Sequence, residues 1–211
     1  MDNETHLIKS QVAQYMRRLY ERRLSSCTSG NVSARVHQSL IAITPSQSDK
    51  AILQGDDIGL VSLSGKIVDS SLPLSMETEM HLAVYRARPD VQAIVHAHPV
   101  FATCFAVSQE PLDVSLTGES YAVLGEPVMA PYALMGSQGL AANVAQAAQK
   151  GQVVLMQNHG VLTVGKDLFQ AYDRMEIIEF AAKLQLMTKF LGEARHLTEE
   201  EKQAIRVLLG D

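Results

Sequence analysis

The chain has 211 residues, 46% apolar and 19% charged, with a formal net charge of −5. That is enough apolar residue for a folded core, and it excludes disorder; the mild acidity gives no reason to bind nucleic acid or an anionic membrane. Two cysteines are too few for a disulfide framework, the N-terminal MDNETHLIKSQ is too polar for a signal peptide, and no apolar run reaches the ~18 residues of a membrane span, so one cytoplasmic domain over residues 1–211 is expected.

Leu7, Ile8, Val12, Tyr15, Met16 and Leu19 recur at helical spacing and predict an amphipathic helix over residues 4–24. Arg17, Arg18, Arg22 and Arg23 are read as its solvated face. A loop of small residues, SSCTSGN at 25–31, leads into the runs VSARV and LIAIT, which read as a hairpin closed by Thr44-Pro45-Ser46. Residues 58–63 and 66–68 form a second hairpin around Ser64-Gly65. A helix over 76–87 follows, with Ser75 as its N-cap.

Residues 91–95 read as a strand, followed at once by His96-Ala97-His98-Pro99 and a helix over 100–107. Residues 108–137 are loop-rich, with a short strand near Val128. A helix over 137–149 is capped by Ser137. The strand 153–156 runs into Gln157-Asn158-His159-Gly160 and then VLTV. A long helix covers 168–191, and a last helix begins at Thr198, which forms a capping box with Glu201. Strands joined by tight turns and mixed with helices predict an α/β layered fold with a mixed or mainly antiparallel central sheet.

The chemistry lies in three histidines. His96 and His98 are two residues apart at a strand end, so both imidazoles point to one face, and such a pair is half of a transition-metal site. His159 follows another apolar strand and precedes Gly160, which permits a sharp turn and leaves room for a neighbour. Three imidazoles with an open fourth position suit a catalytic zinc ion. Lone histidines are more often ordinary core or surface residues; His6, His37 and His196 are read so, and His81 as packing or as support behind the site. Glu77, in the first turn of its helix, is placed to move protons. Glu79 points elsewhere. Ser29-Gly30-Asn31, Thr44-Pro45-Ser46 and Ser75 together offer hydroxyls and backbone N–H groups that cradle a phosphate without any lysine. Taken singly, each is ordinary turn chemistry.

In their order and spacing, SGNVSARV at 29–36, ITPS at 43–46, SMETEMHLAVYRARPDVQAIVHAH at 75–98, APY at 130–132 and QNHGVLTVG at 157–165 resemble the class II aldolase/adducin family. Within it the motifs look most like those of aldolases acting on ketose 1-phosphates such as L-fuculose 1-phosphate. The resemblance implies a three-layer fold and a cytoplasmic homotetramer with active sites at subunit interfaces. It implies zinc (Zn2+), with Mn2+ or Co2+ as alternatives, held by His96, His98 and His159, and Glu77 as acid and base. Gly30, Asn31, Ser46 and Ser75 would hold the phosphate. The implied reaction is retro-aldol cleavage to dihydroxyacetone phosphate and an aldehyde. Epimerases of the family carry Asp where Glu77 stands, so Glu77 favours the aldolases. An epimerase, decarboxylase or dehydratase, an aldolase on an unphosphorylated substrate, and an adducin-like module without activity are the alternatives. The three histidines and Glu77 speak against the last.

Three positions depart from the family pattern. Met76 replaces the second serine of Ser-Ser-Glu, and Gln47 replaces the glycine of Thr-Pro-Thr-Gly. Thr117 falls near the place of a tyrosine that serves the aldehyde oxygen, and the C-terminal tyrosine has no counterpart. The group that serves that oxygen is therefore unassigned, with Tyr121 or a metal-held water as the candidates.

Overall fold

Short runs in which apolar side chains face two opposite cores give this chain its sheet. The computed structural model describes residues 2–108 and 110–210. Helix α1 (Asn3–Glu21) leads into strands β1 (Asn31–His37), β2 (Leu40–Ile43), β3 (Gly59–Ser62) and β4 (Ile67–Asp69). Then come α2 (Thr78–Ala87), β5 (Ala93–Ala97), α3 (Val100–Val107), α4 (Gly118–Leu124) and β6 (Val128–Ala130). The chain ends with α5 (Gln138–Ala148), β7 (Val153–Met156), β8 (Gly160–Gly165), α6 (Leu168–Leu191) and α7 (Glu199–Leu209). The eight strands form one sheet in the order β4-β3-β2-β1-β5-β8-β7-β6. All neighbours are antiparallel except β6 and β7. This is the α/β fold with a mainly antiparallel sheet that the sequence predicts.

Successive strand residues point to opposite faces. Ala93, Val95 and Ala97 of β5 pack into one core, where α1, α3, α4 and α6 lie. Ile94 of the same strand packs into the other core, against α2 and α5. Strand β7 repeats the rule, with Val153 and Leu155 on the first face and Val154 and Met156 on the second. The three-layer arrangement therefore follows from period-2 burial on both sides of the sheet.

Four expectations need correction. The helix after Ser75 starts at Thr78 instead of Met76, and Glu77 occupies the N-cap position. Residues 44–46 and 73–75 are zipped together: Ser46 N–H donates to Pro73 O (2.8 Å) and Ser75 N–H to Thr44 O (3.3 Å). This pairing holds the chain extended through Ser75 and delays the helix. The loop-rich stretch 108–137 contains α4, capped by Thr117, whose hydroxyl accepts from Ser120 N–H at 3.2 Å. Its seven residues are too few to show a helical period. Strand β5 is Ala93–Ala97 rather than 91–95, so His96 lies inside it. The arginine face of α1 is only partly solvated. Arg17 donates to Leu53 O, and Arg18 covers the Tyr172 ring at 4.1 Å. No helix among the described residues is long and apolar enough to cross a membrane.

Ile94 is fully buried at the sheet centre, whereas Ile67 on edge strand β4 is 57% exposed. Ile94→Ala is expected to cost about 2–5 kcal/mol in urea unfolding. Ile67→Ala should stay within about 0.5 kcal/mol.

Candidate active site

Strand register brings the candidate residues together. Asn31 of β1 pairs directly with His96 of β5, and β8 lies on the other side of β5. The tight turn before β8 places His159 beside the end of β5, next to His98. The three imidazole centroids lie 4.8, 4.9 and 5.3 Å apart, and one ring nitrogen from each falls within 4.8 Å of the others. Gly160 makes this approach possible: a Cβ there would stand 2.6 Å from Ala97 O and 2.7 Å from the His98 ring. Gly30, at φ +74°, does the same for β1, since a Cβ would meet Ser25 Oγ at 2.5 Å and His96 O at 2.9 Å.

Glu77 enters the same corner. Its carboxylate is 7% exposed and stands 3.2 Å from both His96 Nε2 and His159 Nε2. Neither contact has hydrogen-bonding geometry: Glu77 Oε1, His96 Nε2 and His159 Nδ1 are buried without a hydrogen-bond partner. His96 donates its Nδ1–H to Val161 O at 2.9 Å, which leaves the Nε2 lone pair facing the corner. Buried donors and acceptors are nearly always satisfied, so a cluster of buried polar atoms without partners fits a cation site. Three imidazoles and a carboxylate are a suitable donor set for a divalent transition metal.

Burial by itself would raise Glu77, but the His96 charge and contacts from His159, His96 and Asn31 hold its carboxyl well below the usual carboxylate range. Burial, with the neighbouring imidazoles, pushes His98 down to about 3. Burial opposes charge on His96 too, but Glu77 outweighs it and raises that imidazole.

A polar chain behind Glu77 ties it to the sheet. Glu77, His81 and Tyr85 are four residues apart and form one stripe facing Asn31 and Ser33 on β1. Asn31 Nδ2 donates to Glu77 Oε2 at 2.8 Å. Its Oδ1 therefore accepts from His81 Nε2–H at 2.6 Å. His81 Nδ1 then accepts the Ser33 hydroxyl proton at 2.7 Å, and Ser33 Oγ accepts from Tyr85 OH at 2.9 Å. Every donor in this chain points toward the carboxylate. His81 is thus neutral and supports the site from behind, with its pKa pushed by burial down to about 3. Glu79 pairs outward with Arg86 at 2.6 Å.

The zipped loops bring Ser46 and Ser75 to the wall of a cavity of about 290 Å³, which Gly30, Asn31, Glu77, His98 and His159 also line. Of the residues expected for metal, acid and phosphate, all but His96 line this cavity, and His96, fully buried, reaches it through its contact with Glu77. Gln47 holds φ +46°, a left-handed conformation that favours glycine, so its strain marks the family glycine it replaces. Two findings differ from expectation. Tyr121 packs against α7, where Arg206 donates to its hydroxyl, and it does not line this cavity. A lysine does line it: Lys50 escaped sequence reading because nothing about an isolated Lys near a turn signals burial.

His96→Ala and His159→Ala are each expected to abolish metal binding, measured by elemental analysis of purified protein. Full occupancy in either variant removes that residue from the donor set. In metal-free protein, folded His81 and His98 take up protons only near 3, while unfolded imidazoles do so near 6.5. The unfolded state binds more protons between those values, so the stability these two residues contribute is fully present above about 6.5 and is lost as pH drops toward 3. His96, raised by Glu77, changes charge above that window. Urea unfolding at pH 7 and pH 5 checks this, and an unchanged midpoint would contradict it.

Residues 10–186 match the family model described as the class II aldolase and adducin N-terminal domain. The chain is 34% identical over 175 residues to an L-fuculose phosphate aldolase of Methanococcus maripaludis, covering 83% of this chain and 93% of that protein. It is 30% identical over 197 residues to a 3-oxo-tetronate 4-phosphate decarboxylase of Haemophilus influenzae, covering 92% and 93%. Its fold superposes on a solved L-fuculose 1-phosphate aldolase with a TM-score of 0.88 at 33% identity, covering 97% of this chain and 96% of that one. Motif order, fold and sequence agree, and the chain belongs to the class II aldolase/adducin family as one of its enzymes, a class II aldolase.

Proposed function

We propose that this aldolase cleaves a phosphorylated ketose, L-fuculose 1-phosphate or a similar deoxy-ketose 1-phosphate, to dihydroxyacetone phosphate and an aldehyde. The observation that carries the reading is the placement of Glu77 between three imidazoles and a cavity walled by serines. His96, His98 and His159 hold the metal, for which we propose zinc, with manganese and cobalt as alternatives. When bound, the ion supplies Lewis acidity to a substrate carbonyl.

In the proposed cleavage the bond between C3 and C4 breaks, and its electron pair moves toward the C2 carbonyl. The C4 hydroxyl gives its proton to water as the aldehyde forms, and the Glu77 carboxylate takes one up from water in exchange, so that no net proton is gained or lost. Glu77 then delivers a proton to C3, and in the synthetic direction removes it. Asn31 Nδ2 occupies Oε2, so Oε1, which has no hydrogen-bond partner, is the oxygen assigned to carry that proton. The one-way donor chain through His81, Ser33 and Tyr85 keeps the carboxylate oriented. Gly30, Asn31, Ser46 and Ser75 form the proposed phosphate cradle. We further propose one domain over residues 1–211, acting in the cytoplasm as a homotetramer with active sites at subunit interfaces.

A second reading, decarboxylation of a phosphorylated sugar acid, is favoured by the resemblance to the tetronate-phosphate decarboxylase, since both reactions pass electrons to the same carbonyl.

Glu77→Gln is expected to keep its metal and lose about 10²–10⁴-fold in turnover. Assay of purified enzyme against ketose 1-phosphates, unphosphorylated ketoses and 3-oxo acid phosphates, following dihydroxyacetone phosphate and carbon dioxide release, separates the readings. Release from no ketose 1-phosphate would overturn the proposed substrate.

A further inference from the structure

We propose that Lys50 is the cation of the anion subsite, and that its ammonium group binds the substrate's phosphate from the wall of the cavity that His98 and His159 also line. This rests on the phosphorylated-ketose reading above.

Two lysines are buried among the described residues, and they differ in what neutralises them. Lys9 is 4% exposed and pairs with Asp69 at 3.1 Å. Lys50 is 1% exposed, yet among the described residues no carboxylate lies within ion-pair distance of it. Its Nζ donates to Pro45 O at 2.6 Å and to Ser48 Oγ at 3.1 Å. An ammonium group has three donors, so one N–H remains for something else. Burying a charge without a counter-ion is costly, and such a group is retained where the counter-ion arrives from outside.

The surroundings indicate what arrives. Lys50 lines the same cavity as Gly30, Ser46 and Ser75, the residues proposed for the phosphate. Its backbone N–H donates to Cys27 O at 2.8 Å, which ties it to the loop that leads to Gly30. Met76, which also lines the cavity, has no side-chain donor where the family pattern has a serine, and Gln47 puts a side chain where that pattern has a glycine. A charged donor makes up for both. Hydrogen bonds from an ammonium to a phosphate are about twice as strong as neutral ones. Burial pushes the Lys50 pKa down to about 8, which leaves it charged at neutral pH. A bound dianion would raise it again.

The test uses metal-loaded, full-length protein and inorganic phosphate as the probe, by calorimetric titration at constant metal content. Lys50→Gln keeps a donor for Pro45 O and removes the charge; Lys50→Arg keeps the charge. Phosphate affinity is expected to fall by about tenfold or more in the glutamine variant and to stay within about threefold of wild type in the arginine variant. For a cleaved ketose 1-phosphate, Lys50→Gln should raise KM with kcat little changed. Phosphate affinity that is equal in wild type and Lys50→Gln overturns the proposal, as does equal loss in both variants, which would be a packing effect. In unmutated protein, the Lys50 Cε resonance should shift on phosphate addition. This measurement does not depend on either variant folding, and no shift overturns the proposal. Failure here with wild-type cleavage of a ketose 1-phosphate removes Lys50 alone. Phosphate binding through Lys50 without such cleavage removes only the substrate reading.

Discussion

A buried carboxylate facing buried imidazole lone pairs is the constraint around which this molecule is arranged. Glu77 has almost no access to water, and its Oε1, together with His96 Nε2, lacks any hydrogen-bond partner. Lone pairs turned on one another in a low-dielectric corner repel unless a cation or a proton lies between them. The surrounding elements are placed to hold that arrangement. Val161 orients His96, Gly160 lets His159 approach, and Asn31 secures one oxygen of Glu77. A dense set of polar groups is stable here because nearly all of the others are satisfied.

The division of labour within Glu77 follows from its position just before a helix. At an N-cap a carboxylate ordinarily spends its oxygens on the first backbone N–H groups. The Glu77 side chain makes no such bond. Ser75 takes over part of that work, since its Oγ accepts from Glu77 N–H at 3.2 Å and its carbonyl from Thr78 N–H at 3.0 Å. The carboxylate is left free to face the histidines.

Much of this was legible in the sequence, and the remainder was not for definable reasons. His96, His98 and His159 could be named because two of them share a strand end and the third is followed by a glycine at a turn. Period-2 and period-3.6 patterns placed seven of the eight strands and the long helices close to their observed bounds. The start of α2 was displaced because pairing between 44–46 and 73–75 is a long-range contact, and no local capping signal reports it. Helix α4 is not legible because about two turns of helix are too few to show a period. Lys50 was missed because its burial is set by the path of the whole loop 25–50. The donor chain from Tyr85 to Glu77 was invisible for a related reason. Its serine and asparagine are unremarkable in a strand until register places them opposite the α2 stripe.

That register has a consequence for how the protein acquires activity. Asn31 sits opposite His96 through a pairing between segments 65 residues apart, as His96 Nδ1 and Val161 O are. A slip of one residue in β1 would turn Asn31 and Ser33 to the wrong face of the sheet. No partly assembled chain can therefore have a partly working centre. During refolding, catalysis should return as a single late event that reports closure of the most distant contacts. Helical signal can recover earlier, so turnover itself serves as the gauge of when the sheet has found its alignment.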